Sequence, residues 1–129
     1  MAPTLVLQPG ADGAPAEVVA ALGSPGGSVI IQFVVKTLVG VFDWGLDPQQ
    51  AVAQVAFGAA NSPSTGIGGE HPAISGKDDP LVRELERLGH QVSVAPQSSG
   101  LSALLRDGVA PRSSVLGPMA EIGDGAAQA

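Results

Sequence analysis

The sequence predicts an α/β (α+β) layered sandwich, with helices alternating with pairs of strands. Three observations carry this reading. Asp47-Pro48 and Asp79-Pro80 each place a capping carboxylate before a proline, a strong helix start. Short runs rich in Val, Leu and Ala lie before, between and after the helices, at strand length. A glycine-rich turn at residues 23–28 runs directly into the one long apolar stretch, Val29 to Trp44.

Taken in chain order, Thr4 to Leu7 reads as a strand and Pro9 to Gly13 as a turn. Alanines in Glu17 to Leu22 would allow a helix, but the short length and turn-like flanks favour a second strand. The first helix is expected from Ser28 to Trp44, with Ser24 as N-cap and Pro25 at the first helical position. Ser28, Gln32, Lys36 and Asp43 recur at helical spacing, which predicts a buried helix with a narrow wet edge. Trp44 is expected to pack under a loop.

Asp47 caps the second helix, with Gln50 placed to reach back and complete a capping box. Val52, Val55 and Ala56 would form its buried face, and Gly58 its end. Asn61 to Asp79, rich in Gly, Ser and Pro, reads as a long exposed loop with at most a short strand near Gly69 to Ile74. Pro80 opens the third helix, which places Leu81, Leu85 and Leu88 on one face and ends at Gly89. Arg83 with Glu86 and Glu84 with Arg87 would pair on its solvent side. Gln91 to Ala95 is a strand with Val92 and Val94 inward. Leu101, Ala103 and Leu105 alternate in the next strand, and Asp107-Gly108 reads as a tight hairpin turn.

Composition narrows the function classes. The chain has 129 residues, enough for one core, and that core must be built from small aliphatics because aromatics make up only 3%. A net charge of −6 with scattered bases argues against a nucleic-acid surface. Cysteine is absent, which removes disulfides, thiolate nucleophiles and cysteine zinc sites. Val29 to Trp44 is short for a membrane span and carries Gln32, Lys36 and Asp43, so no span is expected. No signal peptide is visible at the N-terminus. His71 and His90 lack a third ligand at metal-binding spacing, so no metal or other cofactor is expected.

The chemical interest lies in Gly23-Ser24-Pro25-Gly26-Gly27-Ser28. Unpaired N–H groups at a helix start bind anions or stabilise an oxyanion formed during acyl transfer. Gly26 and Gly27 would supply the first free donors, with no Cβ to obstruct a substrate. The same residues also suit a plain strand-to-helix turn. No Lys-Ser/Thr follows, so this is not a Walker motif, and the G-x-S-x-G elbow is absent. Ser24 or Ser28 as a nucleophile is therefore disfavoured. Thr4 cannot be an N-terminal nucleophile in this chain, because that chemistry needs the free α-amino group of the Thr itself.

Met1-Ala2-Pro3-Thr4 followed by Gly-Ser-Pro-Gly-Gly-Ser resembles the small subunit of the gamma-glutamyltransferases, or gamma-glutamyltranspeptidases, which are N-terminal-nucleophile hydrolases. Phe42-Asp43-Trp44-Gly45-Leu46-Asp47-Pro48, Ala51-Val52-Ala53 and Leu88-Gly89-His90-Gln91-Val92 support the resemblance, which covers roughly residues 1–108. It implies an αββα four-layer sandwich. It also implies that Gly26 and Gly27 form the oxyanion hole, with Ser24 supporting the loop. The family's Ser-Ser pair, its catalytic Thr and its glutamyl-gripping side chains precede the matching stretch and are not in this chain. The chain then reads as the C-terminal part of a small subunit. Its partners would be the large subunit, the rest of the small subunit and gamma-glutamyl compounds such as glutathione, in a periplasmic or secreted setting. The chain alone would be inactive and marginally stable. A cephalosporin or glutaryl acylase of the same superfamily, and a non-catalytic domain that binds a small anion, stay open as alternatives. Residues 109–129 read as a divergent, poorly ordered tail in which Ala110-Pro111-Arg112 resembles the family's Asp-Pro-Arg without its Asp.

Overall fold

The computed structural model describes residues 2–59, 61–106 and 120–121. Strands β1 (Thr4–Gln8) and β2 (Glu17–Gly23) form an antiparallel hairpin, joined through a tight helical turn at Ala11–Gly13. The register shifts between Val6 and Leu7. The polypeptide then passes the glycine turn and a short 3-10 segment, Gly27–Val29, before helix α1 (Ile30–Phe42). Helix α2 (Pro48–Val52) follows, then strands β3 (Phe57–Gly58) and β4 (Ser64–Gly68). Helix α3 (Pro80–Arg87), β5 (Gln91–Ala95), β6 (Ser102–Leu105) and β7 (Ala120–Glu121) complete the order.

The strands form two sheets. The first runs β1-β2-β6-β7 and is antiparallel throughout; the second runs β3-β4-β5. β4 and β5 are parallel, which requires a crossover, and α3 provides it.

One face of the first sheet is covered by α1 and α2. Leu22 packs with Ile30 and Val34, and Phe33 packs with Val52 and Leu101. Val41 meets Ala51, with Leu105 alongside. A Cβ on Gly40 would lie 3.0 Å from the Ala51 Cβ, so glycine there sets how closely α1 and α2 approach. The opposite face is also apolar but uncovered. Leu5, Leu7, Val18 and Leu104 are all exposed. Leu5 pairs with Ala21, which pairs with Leu104, so these three form one row across the sheet.

The two proline-led helix starts hold. Asp47 Oδ1 accepts the Gln50 N–H at 2.8 Å and Gln50 Oε1 accepts the Asp47 N–H at 3.1 Å, a complete capping box. Asp79 accepts the Leu81 N–H at 2.9 Å. After Leu88, Gly89 takes φ +97° and donates to the Glu86 carbonyl while His90 donates to Leu85, a Schellman closure.

Several expectations are corrected. The polar stripe of α1 is not a continuous wet edge: Ser28 and Asp43 are exposed and Gln32 is half-buried, but Lys36 is buried, whereas the apolar Ile31 and Val35 face solvent at 70% and 51% exposure. Lys36 finds carbonyl acceptors inside, which makes its burial tolerable. Trp44 is exposed rather than packed under a loop. α2 stops at Val52, not Gly58, because Phe57–Gly58 is taken by pairing with Gly66 and Ile67. The loop expected over Asn61 to Asp79 contains β4 at Ser64–Gly68, the central strand of its sheet, whereas the strand allowed near Gly69 to Ile74 does not form. In α3 the buried residue is Val82, while Leu81 and Leu88 are exposed. Arg83 pairs with Asp78 rather than Glu86; the Glu84–Arg87 pair forms as expected. The Asp107-Gly108 turn and most of the expected tail lie outside the described residues.

Candidate functional site

Ser24 does not cap a helix. It is buried, and its hydroxyl donates to the Pro25 carbonyl at 2.6 Å. Pro25 is likewise not helical, because helical geometry begins only at Gly27. The reason lies in the backbone. Gly26 has φ +133° and Gly27 φ +65°, both in the left-handed half of conformational space, so an extra turn of chain is inserted before α1.

That turn exposes its amides. Gly26 and Gly27 are solvent-exposed, and among the described residues neither N–H has an acceptor. The N–H of Ile30 closes the 3-10 segment on the Gly27 carbonyl, leaving the two preceding donors outside the ladder. Adjacent open donors ahead of a helix favour negative charge.

The turn rests on two supports that local sequence patterns did not mark. A Cβ on Gly26 would lie 3.0 Å from the Phe33 ring, one turn into α1. A Cβ on Gly100 would lie 2.9 Å from Pro25 Cγ and 3.2 Å from Pro25 Cδ. Phe33 is fully buried against Leu101, the neighbour of Gly100. Gly26 and Pro25 thus sit between the start of α1 and the segment entering β6. Periodicity marks Phe33 only as core, and nothing near Gly100 distinguishes it from an ordinary loop glycine.

A second polar region lies further along α1. Lys36 Nζ donates to the Val52 and Gln54 carbonyls at 3.1 and 2.7 Å. Burial lowers its pKa from 10.5 to about 8. His71 Nδ1 accepts the Ala73 N–H, so Nε2 carries the hydrogen and donates to the Ala53 carbonyl at 2.8 Å. Both Glu70 carboxylate oxygens accept the Gln97 N–H, at 3.0 and 2.9 Å. His90 lies elsewhere, with Nδ1 3.0 Å from Thr65 Oγ1. Among the described residues no group of three His, Cys, Asp or Glu side chains could hold a metal, and no helix is long and apolar enough to cross a membrane.

The mixed helix-and-sheet fold is that of its structural neighbours, which belong to the N-terminal-nucleophile hydrolases. Residues 1–121 match the family model of gamma-glutamyltranspeptidase, and the chain belongs to that family. It is similar to Helicobacter pylori gamma-glutamyltranspeptidase at 25% identity and a TM-score of 0.64, covering 81% of this chain and 51% of that one. It is similar in fold to Pseudomonas nitroreducens gamma-glutamyltranspeptidase complexed with L-DON, at 24% identity and TM-score 0.65, covering 91% and 60%. The Bacillus anthracis transpeptidase enzyme CapD shares the fold at 23% identity and TM-score 0.62, covering 99% and 66%. The chain thus spans between half and two thirds of the length of these solved relatives. No curated protein sequence matches it.

Proposed function

We propose that the chain supplies the oxyanion-binding element of a gamma-glutamyltransferase. In the complete enzyme a Thr nucleophile attacks a gamma-glutamyl amide such as glutathione. The carbonyl carbon becomes tetrahedral and its oxygen takes on negative charge. Collapse expels the amine, to which a proton is delivered, and leaves a gamma-glutamyl ester on the Thr. Water or an amino-acid acceptor then takes the glutamyl group. The Gly26 and Gly27 N–H groups would stabilise the charged oxygen at both steps.

The observation that supports this reading is the pair of adjacent, exposed N–H donors without an acceptor, on a turn held open by two positive φ values. Such donors act most strongly on charge that develops in the transition state, and losing one costs about 2.7–4 kcal/mol. Ser24, buried and bonded to Pro25, supports the turn rather than reacting.

The test is Gly27→Pro in the self-cleaved enzyme that carries this chain, which removes the N–H and, because proline cannot take φ +65°, also displaces the turn that presents it. Turnover of a gamma-glutamyl anilide is expected to fall by about 10²–10³, with KM changed far less. Unchanged turnover in a folded, fully cleaved variant would remove the oxyanion role. Turnover of glutaryl or cephalosporin side chains in place of the gamma-glutamyl anilide would move the substrate to the acylase branch of the class. The isolated chain is expected to release no anilide, because it holds no N-terminal Thr.

A further inference from the structure

We infer that Gly100 is a positioning residue for the oxyanion turn: its lack of a Cβ admits the Pro25 ring and so fixes where the Gly26 N–H points. This rests on the oxyanion reading above and adds a residue to it that lies far away in sequence.

The geometry is direct. The space a Cβ would need at Gly100 is filled by Pro25, at 2.9 Å from Cγ and 3.2 Å from Cδ. Real Cβ atoms do not come that near, so something must move. A flexible side chain could swing aside, but a proline ring can only repucker at Cγ, while Cδ, itself 3.2 Å away, is bonded to the Pro25 backbone nitrogen and moves only with the backbone. Its displacement is passed to the Pro25 backbone, and the Pro25 carbonyl carbon is bonded to the Gly26 nitrogen. The peptide plane that aims the Gly26 N–H therefore moves with the ring.

Neither side can absorb that shift freely. Phe33 stands 3.0 Å from the Cβ position of Gly26 and is itself fully buried. On the other side, Leu101 is 1% exposed and packs on Phe33 and Val52. The Ser24 hydroxyl on the Pro25 carbonyl ties the same peptide a third time. A methyl group at position 100 thus pushes a solvent-facing ring whose peptide is held at the Pro25 carbonyl and at Gly26, so the Gly26 N–H is re-aimed. Misplacement by a fraction of an ångström to one ångström at a catalytic group lowers rate by on the order of 10- to 100-fold.

The experiment compares four variants of the self-cleaved enzyme that carries this chain: Gly100→Ala, Pro25→Ala, the double variant, and Gly27→Pro. Gly100→Ala is expected to lower kcat on a gamma-glutamyl anilide by about 10-fold or more, with KM nearly constant and self-cleavage complete. Pro25→Ala removes the ring that the methyl strikes, so the double variant is expected to recover the kcat of Pro25→Ala alone. If Gly100→Ala keeps full kcat while Gly27→Pro does not, the buttress is overturned and the oxyanion reading is untouched. If Gly100→Ala lowers kcat equally with and without the Pro25 ring, the effect does not pass through Pro25, and the inference also fails. If Gly27→Pro itself retains turnover, the oxyanion reading falls and takes the inference with it. Should Gly100→Ala fail to fold, Gly100→Ser in the Pro25→Gly background supplies the same comparison.

Discussion

Lys36 and His71 between them hold three consecutive carbonyls. Lys36 in α1 takes those of Val52 and Gln54, and His71, from the loop after β4, takes that of Ala53. Residues 52–54 form the exit from α2, where carbonyls lack helical partners and a cation is favoured. Two side chains thus complete the end of a helix that is only five residues long.

The pH dependence of stability follows from Lys36. Its folded pKa, about 8, lies below the unfolded value of 10.5, so between these limits the unfolded chain binds more protons. Stability is therefore expected to rise with pH from about 8 to 10.5, as the penalty on the buried ammonium is relieved. Glu70 and His71 line the same recess. Urea midpoints measured across this range should show the rise, and Lys36→Met should flatten it. A wild-type midpoint that falls across the same window would contradict the assignment.

The two proline-led helix starts should differ in strength. Asp47→Ala removes a solvent-facing capping box and is expected to cost about 1 kcal/mol. Asp79 does more: Oδ1 accepts from the Leu81 N–H, while Oδ2 accepts from the Ser75 N–H and hydroxyl at 2.9 and 3.1 Å. The Ser75 N–H is the main cause of its lowered pKa, followed by that of Leu81. Its contribution is present above 3.8 and is lost as pH falls through the lower, folded value. Asp79→Ala should be the more destabilising variant at neutral pH. Denaturant melts of the two variants at pH 7 check the ranking, and the difference between them should shrink as pH is lowered through the depressed Asp79 value.

In α3 the contact is made by Val82 and not by the leucine face. Val82→Ala should destabilise measurably, while Leu81→Ala, at a 43% exposed position, should stay within about 0.5 kcal/mol. Equal losses at the two positions in chemical denaturation would argue that Leu81 is covered in solution.

The uncovered row of Leu5, Ala21 and Leu104, with Leu7 and Val18 beside it, predicts self-association of the isolated chain. Sedimentation velocity should show concentration-dependent oligomers. Leu5→Lys combined with Leu104→Lys should shift the chain toward monomer without loss of secondary structure. A wild-type chain that remains monomeric at high concentration would show that this face tolerates water.

Local chemistry made much of this legible. The carboxylate-proline helix starts, the glycine closing α3 and the β1–β2 strands follow from short-range signals, and the structure has them. The positions of Gly26 and Gly27 on an open turn were also readable, although through two positive φ values rather than a Ser24 cap. Long-range satisfaction was not readable. β4 is Ser-Thr-Gly-Ile-Gly, with weak strand propensity, and is organised by β3 and β5 on either side. Lys36 marked a wet edge in the sequence because its carbonyl partners lie 16 and 18 positions away. Val82 outranks the leucines of α3 for a similar reason: the packing partner, not the stripe, decides which face is inside.

The placement of β6 beside β2 has a consequence for when the glycine turn takes its final shape. Leu22 pairs with Ala103, and Arg106 reaches Glu17 across 89 positions of sequence. Closing so long a loop is slow compared with forming a hairpin or a helix. Gly100 lies just before β6, so the brace on Pro25 arrives only when that distant strand docks. On a ribosome the glycine turn emerges before β6 and takes its final packing against Gly100 only once β6 has followed. The final shape of that turn is a late event in folding, and slowing the docking of β6 would delay it more than it would delay the appearance of secondary structure.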